Sequence, residues 1–327
     1  MDVVITYVDF TNINWREAYE TTIKEKYVPT IHTSDSIGRT RFVNHGEIRF
    51  LLRSIEKYIP WVRNIYLVVD DYLEKPAWLT GVNIIRHKEI FQEYADSCLP
   101  TFNSQAIETV LHRIKDISEP FLYFNDDMFV GKTIEYENMI KDTKMALIPS
   151  DCKSKVGKPK IEEIGFRCAW KNVNRLLDKR FGKCVRYKLE HAPYIISPKL
   201  MNKIWAEFHT DMEKTIQSRF RAIYDVNVSP ALHPYYALHT DEGFIQKNLE
   251  VKTFYLDLKY KKETLKKLNE LTESAPHFFC LEDEDGGNES DNTIRRILEI
   301  IYPTISKYEC LEMPLLIPSP LSPNEQD

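Results

Sequence analysis

No two cysteines in this 327-residue chain stand at C-x-x-C spacing, and none of the six clusters with histidine as a zinc site would. Reduced thiols are therefore expected rather than a disulfide framework. Glycine is scarce, at 10 residues, and aromatics reach 12%, which excludes a low-complexity or disordered chain. No apolar run approaches the roughly 20 residues of a membrane span. The opening MDVVITYVDF has no basic segment ahead of an apolar one, so no signal peptide is expected and a cytoplasmic setting is. Lys and Arg, 44 in all, do not outnumber the 49 acids, which argues against a nucleic-acid binder. Walker, G-x-G-x-x-G, H-E-x-x-H and G-x-S-x-G motifs are all missing, which removes the familiar phosphate loops and hydrolase elbows.

What is present is a set of acids at the ends of apolar runs. FLYFNDDMFV, residues 121–130, reads as a buried strand broken by Asn125-Asp126-Asp127. Two adjacent carboxylates repel and resist desolvation unless a positive charge sits with them. The decapeptide alone leaves both a divalent-cation site and a plain Asn/Asp turn open. Residues 3–8 form a first strand ending at Asp9, residues 64–69 a second ending at Asp70-Asp71, and residues 82–86 a third before His87. Strands alternating with helices predict an α/β fold with a mainly parallel central sheet flanked by helices. Ligands of such sheets collect beyond the carboxyl ends of the strands.

Glu47–Tyr58 is an amphipathic helix with Ile48, Leu51, Leu52 and Ile55 as its apolar stripe. Arg49 and Arg53 share one side, either as a solvated face partnered by Glu47 and Glu56 or as an anion clamp. Residues 99–114 predict a turn and then a helix, with Ser104 as N-cap and His112 and Arg113 at its C-terminal end, where positive charge suits the dipole. The Lys-rich residues 142–165 read as an inserted or mobile connection. Residues 198–208 and 211–223 predict two helices, the second carrying Arg219 and Arg221. A strand at 277–281 leads into the acids 282–285, and the Pro/Ser-rich residues 311–327 form a tail. Acids hold Mg²⁺ or Mn²⁺ and arginines grip phosphate, so together they suit a nucleotide diphosphate.

Four stretches, DVVITYVD at 2–9, the long segment 40–132, HAPYIISPKLMNKIW at 191–205 and FFCLEDEDGGNESDNTIRRIL at 278–298, resemble the Stealth family of sugar-phosphate transferases. The resemblance implies a GT-A-like nucleotide-sugar fold with a helical insertion. It implies one catalytic domain over 1–310, with the nucleotide-sugar core at 1–150 and 240–310 and an acceptor-side region at about 151–239. It implies transfer of a hexose-1-phosphate from a UDP-sugar to a hydroxyl of an oligosaccharide or polysaccharide, with release of UMP. Association with a membrane-bound polysaccharide assembly is a further implication. Asp126, Asp127 and Asp283 are then the metal ligands for Mg²⁺ or Mn²⁺. His191 becomes the general base, with Asp9 as its rival and Asp126 beside it. Arg41, Arg49, Arg113 and Arg221 become diphosphate clamps, and Asn103 and Ser104 contacts to the donor sugar. From the residues alone, a histidine before Ala-Pro is an ordinary structural one. A glycosyltransferase releasing UDP, or a nucleotide-sugar binding protein without catalysis, would use the same acids.

Overall fold

The computed structural model describes residues 1–38, 45–256, 261–283 and 293–310. The chain opens with β1 (Asp2–Thr6) and α1 (Ile13–Lys26), followed by α2 (Glu47–Tyr58), β2 (Ile65–Val69) and β3 (Asn83–Arg86). Short helices α3 (His87–Phe91), α4 (Ala95–Cys98) and α5 (Ser104–Glu108) precede β4 (Phe121–Asn125) and β5 (Met128–Val130). Next come α6 (Tyr136–Met139), β6 (Ile140–Lys141), β7 (Lys144–Leu147), β8 (Pro149–Lys153), α7 (Gly165–Phe181), β9 (Tyr187–Leu189) and β10 (Tyr194–Ile196). The remainder holds α8 (Pro198–Glu207), α9 (His209–Ile216), α10 (His233–His239), β11 (Gly243–Ile245), β12 (Val251–Leu256), α11 (Lys261–Glu273), β13 (Phe278–Asp283) and α12 (Thr293–Ile301).

The main sheet has the order β10-β4-β1-β2-β3, with β4, β1, β2 and β3 parallel and β10 antiparallel at one edge. β1, β2 and β4 are nearly continuous runs of buried Val, Ile, Leu and Phe, as expected for strands covered on both faces, while β3 at the edge is only partly buried. From β1 the chain steps to β2 and β3 on one side, and then β4 returns to the other side of β1. The strand order therefore reverses between β1 and β4, where an open α/β sheet leaves a crevice. β5 departs into a second sheet of order β12-β13-β5, so residues 126–127 are the corner between two sheets. One apolar core runs through both sheets and includes the whole predicted stripe of α2. Among the described residues no helix is long and apolar enough to cross a membrane.

Two predicted elements come out differently. Residues 142–165 hold β7 and β8, each paired, rather than a mobile connection. The second helix of the 198–223 region stops at Ile216, so Arg219 and Arg221 lie beyond it. Their carbonyls accept instead from the amides of Phe102 and Thr33, and these long-range bonds displace the helical ones.

Candidate active site

Asp126 and Asp127 form the turn that leaves β4 at the crevice. Register brings two distant residues to them. Tyr194 pairs with Tyr123 in antiparallel sense, so continuing that register sets His191 level with Asp126. Cys280 pairs with Met128, one residue past Asp127. The side chains meet accordingly. His191 Nε2 lies 3.3 and 3.4 Å from the Asp127 carboxylate oxygens, and the Cys280 thiol donates to Asp127 Oδ2 at 3.1 Å. Asp127 and His191 keep 32% and 29% of their side-chain surface exposed, so a substrate can reach both.

The electrostatics separate the two aspartates. Burial by itself raises the Asp127 pKa, but the charge of His191 and hydrogen bonds from His191 and Cys280 outweigh it and hold the carboxyl below its usual range. Asp126 is pushed well above that range, first by burial and then by the neighbouring carboxylates of Asp127 and Glu47. Glu47 begins α2, which enters from Gly46 in the left-handed region at φ 81°. Its Oε2 accepts from the His45 amide at 2.7 Å, and burial leads the causes that raise its pKa. Behind His191 lies buried Glu108, which accepts from the Ser229 amide at 3.0 Å; it too is raised, chiefly by burial, against the pull of Arg221 and His191. Tyr123 ties the crevice walls together, with its hydroxyl 2.8 Å from Asn125 Oδ1 and 3.0 Å from Thr6 Oγ1.

Asp126, Asp127 and Glu47 raise one another's cost of ionisation, and a divalent cation beside them would offset it. Asp127, His191 and Cys280 also offer ligand atoms within 4.8 Å of one another, a softer set better matched to zinc than to magnesium. Both donor sets share Asp127.

The other predicted residues are placed as follows. Asp9 lies past the end of β1, and its Oδ1 accepts from the amide and hydroxyl of Thr11 at 3.0 and 2.6 Å. Arg221 reaches Ser104 Oγ at 3.2 Å and Asp35 at 3.4 Å, so Ser104 and Arg221 are together. Arg49 is not drawn to the crevice. It faces Glu309 at 3.6 Å and stacks over Trp78, while Arg53 grips Glu309 with two bonds of 2.7 Å. Two residues along a helix from Glu47 is about 200° of rotation, which turns Arg49 away from the side Glu47 presents. Arg113 pairs with Glu93 at 3.2 Å and lies over Tyr94 and Trp205. Asn103 is fully buried and is itself the N-cap of α5, in place of Ser104; its Nδ2 donates to Asp225 at 2.8 Å. Arg41 lies outside the described residues. Asp283 closes β13, and its side chain lies outside them too. Glu47 and Cys280 are the residues the sequence does not single out. A β13 register against β5 was the signal that could have found Cys280.

A cavity of about 170 Å³ opens beyond the ends of β2 and β3, lined by Trp15, Asp70, Asp71, His87 and Phe102 among others. Buried Asp70 accepts from the Tyr72 and Leu73 amides through Oδ1, while its Oδ2 has no partner among the described residues.

Two family models match the chain, Stealth protein conserved region 2 over residues 41–148 and conserved region 3 over residues 190–238. Asp126 and Asp127 fall in the first and His191 in the second. A capsular polysaccharide phosphotransferase of Haemophilus influenzae is 30% identical over 88% of this chain and 79% of its own. An exopolysaccharide phosphotransferase of Streptomyces coelicolor is 33% identical over 94% of this chain and 51% of its own. The chain thus spans about half the length of that relative. Among solved structures, the galactosyltransferase LgtC aligns over 94% of this chain and 98% of its own, at 10% identity and a TM-score of 0.44.

Proposed function

Because this chain belongs to the Stealth protein family, we propose that it moves a hexose-1-phosphate from a UDP-sugar to a sugar hydroxyl in capsular or exopolysaccharide synthesis. The observation that carries this reading is the Asp127–His191 pair at the crevice where the strand order reverses, beside the crowded carboxylates of Asp126 and Glu47. His191 takes the proton of the acceptor hydroxyl as its oxygen attacks the β-phosphorus. The bond from that phosphorus to the bridging oxygen breaks, and UMP leaves. Asp127 orients the imidazole and stabilises its charged form, as a carboxylate does for a catalytic histidine. Asp9 is the weaker base, because Thr11 already occupies its Oδ1.

Asp126 and Asp127, with Asp283 from β13, would hold Mg²⁺ or Mn²⁺. A bound ion supplies Lewis-acid polarisation of the phosphate oxygens. Phosphoryl transfer needs positioning and charge stabilisation more than covalent help, and the paired carboxylates and imidazole supply those. The nucleobase would enter the cavity lined by Asp70, Asp71 and His87. Arg221 and Ser104 remain the donor-side contacts in this reading. A cytoplasmic setting beside a membrane-bound assembly belongs to the same proposal.

The test is incubation with several UDP-sugars, Mg²⁺ and oligosaccharide acceptors, with nucleotide and product identified by mass. UMP and a phosphodiester product are expected. Release of UDP would make the protein a glycosyltransferase, and binding without turnover would make it a sugar-nucleotide binder. His191→Ala should slow the chemical step by roughly 10²–10⁴-fold. A loss under about threefold, far below that range, removes the base role.

A further inference from the structure

The thiol of Cys280 takes no part in the proposed transfer beyond its hydrogen bond to Asp127. A magnesium or manganese ion takes oxygen ligands and has little use for sulfur. The proton of the acceptor goes to His191. A buried cysteine is ordinarily a small core residue, and a free thiol packs well and donates only weakly. Packing alone does not account for what faces the same carboxylate from the other side. Asp127 Oδ2 lies 3.1 Å from the Cys280 sulfur and 3.3 Å from His191 Nε2. The ligand atoms of the three residues all lie within 4.8 Å of one another.

That triangle has the size of a tetrahedral zinc site. With Zn–N and Zn–O of about 2.1 Å and Zn–S of about 2.3 Å, nitrogen and oxygen stand about 3.4 Å apart and sulfur about 3.6 Å from either. The nitrogen–oxygen edge already has that length, and the sulfur–oxygen edge needs to open by about 0.5 Å. The frame behind these atoms is stiff. β13 is paired on both sides, with β12 and β5, and Tyr194, just past His191, is paired with Tyr123. The ligands therefore need little ordering to close on an ion. The charges balance as well. A carboxylate and a thiolate neutralise a divalent ion, and a neutral imidazole adds none. The thiol proton leaves to water as the sulfur–zinc bond forms. Asp127 and His191 are partly exposed, which gives the ion a way in and leaves its fourth position to a water.

We propose that Asp127, His191 and Cys280 form an inhibitory zinc site. Zinc there occupies the Nε2 lone pair that would accept the acceptor's proton. It also takes Asp127 away from the oxygen ligands of the activating ion. One ion thus removes a base and a metal ligand together, and its withdrawal restores both. The inhibition rests on the phosphotransferase reading, whereas the site rests on the three side chains alone.

Cobalt reports the site without any turnover. A cobalt–thiolate bond gives a charge-transfer band in the near ultraviolet, and tetrahedral cobalt gives strong visible bands. The metal-free parent, Cys280→Ser and His191→Gln are titrated with Co²⁺ and then with Zn²⁺. The parent should develop both sets of bands with one equivalent of Co²⁺ and lose them to one equivalent of Zn²⁺. Cys280→Ser should lack the charge-transfer band, and His191→Gln should bind cobalt at least roughly tenfold more weakly. A parent without these bands overturns the proposal. A charge-transfer band of full strength in Cys280→Ser overturns it too, because the exposed Cys152, Cys184 or Cys310 then supplies the thiolate. If Cys280→Ser does not fold, His191→Gln decides, and undiminished cobalt binding there overturns the site. With turnover supported by Mg²⁺, Zn²⁺ should inhibit the parent, and Cys280→Ser should need at least roughly tenfold more for half-inhibition. Zinc that sustains turnover in place of Mg²⁺ overturns the inhibitory role. A parent that turns over no donor refutes the phosphotransferase reading instead, and the cobalt titration still decides the site.

Discussion

Replacing Asp126 by Asn should make the metal-free protein more stable while it abolishes turnover. Three carboxylates, Asp126, Asp127 and Glu47, meet at the corner between the two sheets, and Asp126 is the one whose ionised form is least tolerated. The amide keeps the shape of the side chain and never ionises, so the cost of holding that position either charged or protonated disappears. Relief of this kind is worth about 0.5–2 kcal/mol. For a domain of this size, that is a rise of about 1–6 °C in Tm. A divalent cation acts in the opposite sense. At a hundred times its Kd it stabilises the parent by about 2.7 kcal/mol, and the variant, missing a ligand, gains much less. Melting curves of the two proteins in EDTA and in Mg²⁺ or Mn²⁺ should therefore cross: the variant melts higher without metal, and the parent equals or overtakes it with metal. A variant that melts lower than the parent in EDTA would refute the crowding argument. An unchanged metal response would refute the assignment of Asp126 as a ligand.

Two further outcomes concern stability. Buried His87, His112 and His233 are pushed by burial down to about 4, 3 and 3 from an ordinary 6.5. Below pH 6.5 the unfolded chain takes up protons that the native state refuses, so stability present above that pH is lost as the pH falls toward 4. At about 1.4 kcal/mol per unit and group, the three cost on the order of 6 kcal/mol at pH 5. Buried Asp126, Glu47 and Glu108, raised in the native state, shift stability the other way over the same range. The histidine share is therefore read by comparing urea melts of the parent and of His233→Gln at pH 7 and pH 5, and the same pH dependence in both would contradict it. Asn103→Ala should cost about 2–4 kcal/mol, because it strips a buried cap and takes one of the two N–H donors from buried Asp225 Oδ2, while the KM for donor stays unchanged. A raised donor KM at unaltered Tm would return Asn103 to the sugar-binding role expected from sequence.

The parts of the fold legible in the sequence are those where short-range pattern and burial agree. Ile48, Leu51, Leu52 and Ile55 recur at helical spacing, and all four are buried in the core, so α2 comes out at its predicted residues. The run 121–124 is apolar on both faces because β4 lies inside the sheet, and the acids at its end mark the crevice. Arginines and polar side chains were harder to place, since their partners are remote. Glu309, which claims Arg49 and Arg53, lies some 256 residues from Arg53, and Asp225, which claims Asn103, lies 122 residues on. Nothing in the local spacing of either side chain encodes such a partner. Asp127 was legible as an acid at a strand end, but its choice of His191 and Cys280 depends on two strand registers set by the whole fold.

Those registers also tie the chemistry to the order of synthesis. Asp127 is separated from His191 by 64 residues and from Cys280 by 153. The parallel strands β1 to β4 are complete once residue 125 has been made, yet the carboxylate at their edge still lacks both partners. A nascent chain that forms this sheet early therefore carries an incomplete site until residue 280 has been made. Any product cut short before β13 keeps the crevice but lacks the thiol that helps hold Asp127 ionised.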